Sequence, residues 1–181
     1  MLSSLEAYAS AGFINGDAVV VIATKEHLAG LEQLLNKNLN VKKIIQEKRY
    51  LALDADVILE QILVGDNIDK SRFENAIKNI LMDVKHESGS TIRVYGELVA
   101  ILWGQGNRKA TVELEKLWHE FCNSGVICLF CAYPKRGFRQ DAIESIQDIC
   151  ACHSTLVEEN VFKSKLNFYG KSIPVPFIVS G

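Results

Sequence analysis

Several features that define common functional classes are missing from this chain of 181 residues. It contains no run of about 18 apolar residues, and its N-terminus has neither a basic segment nor a long apolar one. We therefore predict a cytoplasmic protein that makes no contact with membranes. The formal net charge of -2 supplies no excess positive field, which argues against direct binding of nucleic acid.

The cysteine content argues against a disulfide framework. The chain has five cysteines, an odd number, as expected for reduced thiols in a cytosolic protein. Two clusters, Cys128-Leu129-Phe130-Cys131 and Cys150-Ala151-Cys152-His153, suggest zinc, but residues three apart on a strand point to opposite faces. One ligand from each cluster together with His153 stays open as an alternative, whereas a catalytic Cys131–His153 pair has no third residue to orient it. We predict no metal and no other cofactor.

A phosphate-binding loop is also missing. Nucleotide hydrolysis of the P-loop type requires a strand followed by GxxxxGK[ST], whose backbone amides surround the phosphates. The nearest segment, Gly104-Gln105-Gly106-Asn107-Arg108-Lys109, lies between two predicted helices, so we interpret it as a tight helix connection. We therefore expect no ATPase activity.

What the sequence does contain is an alternation of strand and helix patterns. Short β-rich apolar runs predict strands at residues 18–23, 41–46, 50–53, 91–95 and 126–132. Apolar residues at helical spacing predict helices at residues 2–12, after Thr24, after Asp54, from Asp69 or Ser71, at 98–103, from Asn107 and at 142–153. The segment 41–46 carries two lysines, as at a sheet edge. The alternation predicts an α/β fold with a mainly parallel sheet.

We expect one domain over residues 1–157, followed by a tail at 158–181 that forms either an edge strand or a linker.

Glu97 is the best candidate in this domain for a functional carboxylate. It follows the strand 91–95 and is therefore expected at the carboxyl edge of the sheet, where open α/β folds bind their ligands. The alternative is a helix-start acid that interacts with the helix dipole.

Four further residues complete the predicted ligand site. Tyr133 follows the strand 126–132 and is expected at the same sheet edge as Glu97. Tyr133 and His153 are predicted to add polar contacts, while Trp103 and Cys131 form the wall of the site. Three of them also have a structural interpretation: Trp103 as a core residue, Cys131 as a small buried hydrophobe, and His153 as a partner of a helix dipole.

Several motifs resemble, in order and spacing, the MEDS domain, the sensory domain of methanogen and methylotroph regulators of the DcmR type. The motifs are Gly16–Thr24 with His27, Val94-Tyr95-Gly96-Glu97-Leu98-Val99, Leu102-Trp103, Leu114–Trp118, Cys131-Ala132-Tyr133-Pro134, and Ile149-Cys150 with His153-Ser154. The resemblance covers residues 12–157. It implies a three-layer α/β/α fold similar to RecA/KaiC with a degenerate P-loop, and the sensing of small organic molecules, including simple hydrocarbon derivatives.

Two features depart from the family pattern. Only about eleven residues precede Gly12, so a first strand is expected to be missing. Members are commonly joined to a DNA-binding, PAS or histidine-kinase segment, for which 181 residues leave no room. The resemblance therefore implies either a stand-alone sensor or a separate output protein as the signalling partner.

The leading hypothesis is a non-enzymatic sensory module that binds a small organic molecule and regulates that partner. The alternative is a ligand-free interaction or assembly domain derived from a RecA/KaiC-like ATPase, which would form a homo-oligomer. A residual hydrolase or metal-dependent enzyme using Glu97 ranks third. A pocket beside Glu97 and Tyr133 favours the sensor, and an edge filled by side chains favours the assembly domain.

Overall fold

The structure, a computed structural model, describes residues 2–85, 90–123, 127–134, 148–149, 152, 155–158 and 176–180. The helices in this part of the chain are α1 (Leu2–Ile14), α2 (Lys25–Leu35), α3 (Val41–Gln46), α4 (Ala55–Ile62), α5 (Lys70–Asp83), α6 (Leu98–Gly104) and α7 (Arg108–Cys122). The strands are β1 (Ala18–Ala23), β2 (Tyr50–Asp54), β3 (Leu63–Val64), β4 (Asn67–Ile68), β5 (Ile92–Gly96), β6 (Ile127–Pro134), β7 (Thr155–Glu158) and β8 (Pro176–Ser180).

The main sheet has the strand order β2-β1-β5-β6-β8-β7, and all of its paired strands are parallel. Strands β3 and β4 form a separate antiparallel pair. Parallel neighbours require crossover connections, which the helices between β1, β2, β5 and β6 provide. The predicted α/β fold with a mainly parallel sheet is confirmed.

The residues of β1 show how the sheet divides the protein into three layers. Successive side chains of a strand point to opposite faces, and every residue of β1 is buried. Ala18, Val20 and Ile22 pack with residues of α4, α5, α6 and α7 on one face, which we call the α4–α7 face. Val19, Val21 and Ala23 pack with α1, α2 and α3 on the other, the α1–α3 face. This arrangement confirms the predicted α/β/α layers.

The strand order creates a switch point at the carboxyl ends of β1 and β5. After β1 the chain crosses to β2, which lies on one side of β1 in the sheet. Strand β5 lies on the other side of β1, and after it the chain crosses to β6, away from β1. The two connections therefore diverge between β1 and β5. In open α/β sheets, the crevice at such a point is where ligands bind.

The prediction of an edge strand at residues 41–46 is wrong, because this segment forms α3. Its buried residues, Val41 and Ile44, are three positions apart, as on one face of a helix, and the lysines between them are exposed. The Asn40 side chain caps the helix by accepting a hydrogen bond of 3.1 Å from the backbone N–H of Lys43.

Two predictions concern the C-terminal part of the chain. Strand β8, residues 176–180, pairs with β6 on one side and with β7 on the other, so β7 rather than β8 lies at the sheet edge. The helix predicted at residues 142–153 lies mostly outside the described residues. Within the described part of the chain, no helix has the length and apolar character needed to cross a membrane.

Candidate functional site

The Glu97 carboxylate joins the ends of β1 and β5 at the switch point. Glu97 follows β5 directly and is only 3% exposed. Its Oε2 accepts a hydrogen bond of 2.9 Å from the backbone N–H of Thr24, the residue after β1. Its Oε1 accepts one of 2.8 Å from the hydroxyl of Tyr95. Both carboxylate oxygens are thus held by donors from neighbouring strands.

His27 is the part of this arrangement that reaches solvent. Thr24 is the N-cap of α2, and its Oγ1 accepts a hydrogen bond of 3.4 Å from the backbone N–H of His27. This places the ring Nδ1 of His27 2.7 Å from Oε1 of Glu97, while the His27 side chain is 26% exposed. We refer to Glu97, Thr24, Tyr95 and His27 as the Glu97 network.

The contact between His27 and Glu97 is close but poorly directed. Nδ1 is buried and makes no hydrogen bond of acceptable geometry, although the oxygen is only 2.7 Å away. A rotation about the Cβ–Cγ bond of His27 can align the N–H with the oxygen. The imidazole is therefore the adjustable member of the network.

Tyr95 is the fixed member. Burial raises its pKa well above the usual value, and the negative charge of Glu97 adds to the effect. Tyr95 consequently stays a neutral hydrogen-bond donor throughout the physiological pH range. Its ring lies in the α1–α3 face, 5.4 Å from the ring of Phe130 between centroids.

A second buried polar pair lies on the other side of the sheet. The hydroxyl of Tyr133 donates a hydrogen bond of 2.6 Å to Oε1 of Glu115, a residue of α7 that is 1% exposed. Burial raises the pKa of Glu115 to about 8, against a smaller lowering by the hydrogen bond from Tyr133. Glu115 is therefore mostly protonated at neutral pH.

Trp103 and Cys131 belong to the same region as this pair. The Trp103 ring meets the Tyr133 ring edge to face, at 6.4 Å between centroids, and Arg108 lies 5.7 Å from the Trp103 centroid. Cys131 is fully buried in the α4–α7 face, and burial raises the pKa of its thiol well above the usual value. An unreactive neutral thiol is the result.

The structure thus separates the residues of the predicted site into two groups. Trp103, Cys131 and Tyr133 lie together in the α4–α7 face, whereas the carboxylate of Glu97 is bound by residues at the start of α2 and by Tyr95 of the α1–α3 face. His153 lies outside the described residues. That these five residues bind a ligand stays a prediction.

Sequence reasoning did not assign site roles to His27, Thr24, Tyr95 or Glu115. Tyr95 carried a signal, because residues two apart on a strand share a face, which places its ring beside Glu97. Thr24 was predicted only to precede a helix, and that prediction is confirmed. Glu115 carried no signal, since a carboxylate on an amphipathic helix is normally solvated.

The remaining polar features of the described residues do not form a metal centre or extend the network. No three His, Cys, Asp or Glu side chains among them are grouped to hold a metal ion. An open groove of about 480 Å³ lies along α7 and does not include the Glu97 network. It is lined by Arg108, Lys109, Val112, Glu113, Lys116 and Asp148.

The fold and this geometry define a class of protein: a parallel α/β domain with a buried polar network at the switch point of its sheet. The family model for the MEDS domain, described as the methanogen/methylotroph, DcmR sensory domain, matches residues 1–154, and the chain belongs to this family of sensory domains. The resemblance to the family predicted from the sequence is confirmed. Comparison with curated proteins and with solved structures finds no match.

Proposed function

We propose that the protein is a non-enzymatic sensory module that binds a small organic molecule at the crevice between β1 and β5 and regulates a separate output protein. Membership of a sensory family supports the signalling role. The observation that carries the proposal is the Glu97 network, in which a buried carboxylate at the switch point lies beside a partly exposed imidazole, that of His27. An origin from a RecA/KaiC-like ATPase with a degenerate P-loop is part of the same proposal.

The signal would leave this site through α6. Helix α6 begins at Leu98, directly after Glu97, and ends at Gly104, next to Trp103. Trp103 in turn contacts the ring of Tyr133 on the α4–α7 face. A ligand that binds one arrangement of the Glu97 network more tightly shifts the population of α6 positions and of the loop at 104–108. In this scheme Trp103, Cys131 and Tyr133 transmit the signal.

The test is ligand binding by the wild type and by Glu97→Gln. We expect native mass spectrometry to find a small molecule retained by the protein, or a panel of small organic compounds to raise the melting temperature. The amide of Glu97→Gln cannot accept at both former oxygen positions, so we expect roughly tenfold weaker binding, equal to one lost hydrogen bond of about 1.4 kcal/mol.

Glu60→Gln is the matched control, because Glu60 is exposed on α4. It should bind each compound as the wild type does. The proposal is wrong if no compound in the panel binds, or if Glu97→Gln binds with unchanged affinity.

A ligand-free assembly domain is the second candidate, and one observation favours it. Trp103, Cys131 and Tyr133 are each at most 5% exposed, so side chains fill that part of the predicted site. An assembly domain predicts a stable homo-oligomer whose mass, measured by light scattering, is insensitive to every compound in the panel.

A further inference from the structure

The inference starts from the imperfect contact of His27. Buried polar atoms in proteins nearly always have a hydrogen-bond partner, and leaving one without a partner costs free energy. Glu97 receives well-placed donors from Thr24 and Tyr95, at 2.9 and 2.8 Å. Only His27 Nδ1, which lies 2.7 Å from Oε1, has no directed hydrogen bond within the network. The weakest contact of the network is therefore the one between His27 and Glu97.

The proton position at His27 follows from its neighbour. At 2.7 Å from a carboxylate oxygen, the partial positive charge of an N–H is electrostatically favoured over a lone pair, so we assign the hydrogen to Nδ1. The two sides of this contact are consequently one donor, the imidazole N–H, and one acceptor, Oε1 of Glu97. A group that satisfies both must accept and donate at the same time.

A hydroxyl group is the simplest group on an organic molecule that meets this requirement. Its oxygen accepts from the imidazole while its hydrogen is donated to the carboxylate. An ammonium group only donates, an ether only accepts, and a carboxylate would be repelled by Glu97. The nearby cation, Lys25, is already paired with Asp54 at 3.3 Å, which leaves it poorly suited to attract an anionic ligand.

Entry of such a group requires the imidazole to move. A separation of 2.7 Å has no room for a further atom, but the His27 side chain is 26% exposed in the first turn of α2. Its ring can therefore turn toward solvent while Thr24 and Tyr95 keep the carboxylate in place. Movement of His27 relative to Glu97 is the structural change that binding would produce.

We propose that the ligand of the Glu97 network is a neutral small molecule with a hydroxyl group, which inserts between His27 Nδ1 and Glu97 Oε1. This inference rests on the proposed function, because it specifies the ligand of the same site. It adds His27 as a ligand-binding residue and makes the imidazole the moving part.

The test compares isomers that differ only in the ability to donate a hydrogen bond. Isotope-labelled protein is titrated with 1-butanol and with 1-methoxypropane, and the backbone amide signals of Thr24 and His27 are followed by NMR. The same comparison is made with shorter and longer primary alcohols and their isomeric methyl ethers. We expect saturable shifts with an alcohol and roughly tenfold weaker binding of its ether, as for one lost hydrogen bond.

His27→Ala tests the hydrogen bond that the hydroxyl group of the ligand accepts from the imidazole. We expect it to weaken alcohol binding about tenfold, again the loss of one hydrogen bond. His119→Ala is the control, because His119 is an exposed residue of α7 whose ring contacts the backbone oxygen of Cys152 and does not belong to the network. It should leave alcohol binding unchanged.

The outcomes separate this inference from the function on which it rests. Equal affinity for alcohol and ether, or binding at Glu97 by other compounds only, overturns the hydroxyl bridge and leaves the sensory proposal standing. Unchanged alcohol affinity in His27→Ala overturns the role of the imidazole. Failure of every organic compound to bind overturns both. The isomer comparison uses wild-type protein and does not depend on how the variants fold.

Discussion

At the scale of single residues, Gly12 is fixed by the side chains that pack against it. A Cβ atom at this position would lie 2.7 Å from Cδ of Arg93 and 2.8 Å from Cγ2 of Val19. Arg93 cannot give way easily, because its Nε donates to Oδ2 of Asp17 at 2.7 Å and both side chains are buried. A buried ion pair that loses its geometry is costly.

We therefore expect Gly12→Ala to lower the free energy of unfolding by about 1–3 kcal/mol, as for overpacking of a core. Urea denaturation followed by circular dichroism measures the change. Gly104→Ala is the control, because Gly104 ends a helix and a Cβ there would meet no atom within 4 Å. Equal stabilities of Gly12→Ala and the wild type would show that Arg93 moves aside freely.

At the scale of elements, helix caps decided several boundaries that the sequence predicted well. Thr24, Asp54, Asp69 and Asn107 each precede a helix, and each side chain accepts a hydrogen bond from a backbone N–H of the first turn. The segment 41–46 was misread because its lysines suggested a sheet edge, although its apolar residues follow a helical spacing. A six-residue segment holds too few repeats to separate the two periods.

The hairpin of β3 and β4 was not predicted, and one side chain connects it to α7. Asn107 caps α7 by accepting a hydrogen bond of 3.1 Å from the N–H of Ala110. Its Nδ2 also donates one of 2.8 Å to the backbone oxygen of Asp66, in the turn of the hairpin. Asn107 therefore makes two separable contributions to stability.

Two substitutions at Asn107 separate these contributions. Asn107→Asp keeps the capping oxygen and loses the donor to the hairpin, while Asn107→Ala loses both. We expect Asn107→Ala to cost about 1–2 kcal/mol of unfolding free energy, and Asn107→Asp less, since an acid also suits a helix N-terminus. Thermal denaturation of the two variants beside the wild type measures this. An equal cost for both would mean that the cap contributes nothing.

At the scale of the whole molecule, the fold was easier to predict from the sequence than the site. Buried runs and helical spacing predicted β1, β5, β6 and all of the helices between them except α3, because burial imposes those patterns directly. Which residues meet across strands depends on the sheet register, and the sequence does not state it. The register places Cys131 beside Gly96.

That register explains why the predicted site is divided. Glu97 and Tyr95 are two residues apart, and so are Tyr133 and Cys131, so each pair shares a face. Cys131 pairs with Gly96, and Gly96 and its neighbour Tyr95 point to opposite faces of the sheet. Cys131 and Tyr95 therefore lie on opposite faces. Glu97 and Tyr133 were expected together because both follow strands at one edge of the sheet. Being at one edge does not place two side chains on one face.

The buried acid of α7 links the stability of the whole molecule to pH. Glu115 has a folded-state pKa of about 8, whereas an unfolded glutamate has one of about 4.3. Between these values the folded protein holds a proton that the unfolded chain releases. The stability contributed by this proton is complete below about pH 4.3, is lost as the pH rises to about 8, and changes no further above that.

We expect Glu115→Gln to remove a slope of up to about 1.4 kcal/mol per pH unit from the stability profile between pH 5 and pH 8. Glutamine stays neutral at every pH and can still accept the hydrogen bond from Tyr133. Urea denaturation at several pH values gives the slope, and Glu60→Gln, at an exposed position, should keep that of the wild type. Parallel profiles for Glu115→Gln and the wild type would show that Glu115 is ionised in the folded protein, and the pair with Tyr133 would then be an ordinary charged hydrogen bond.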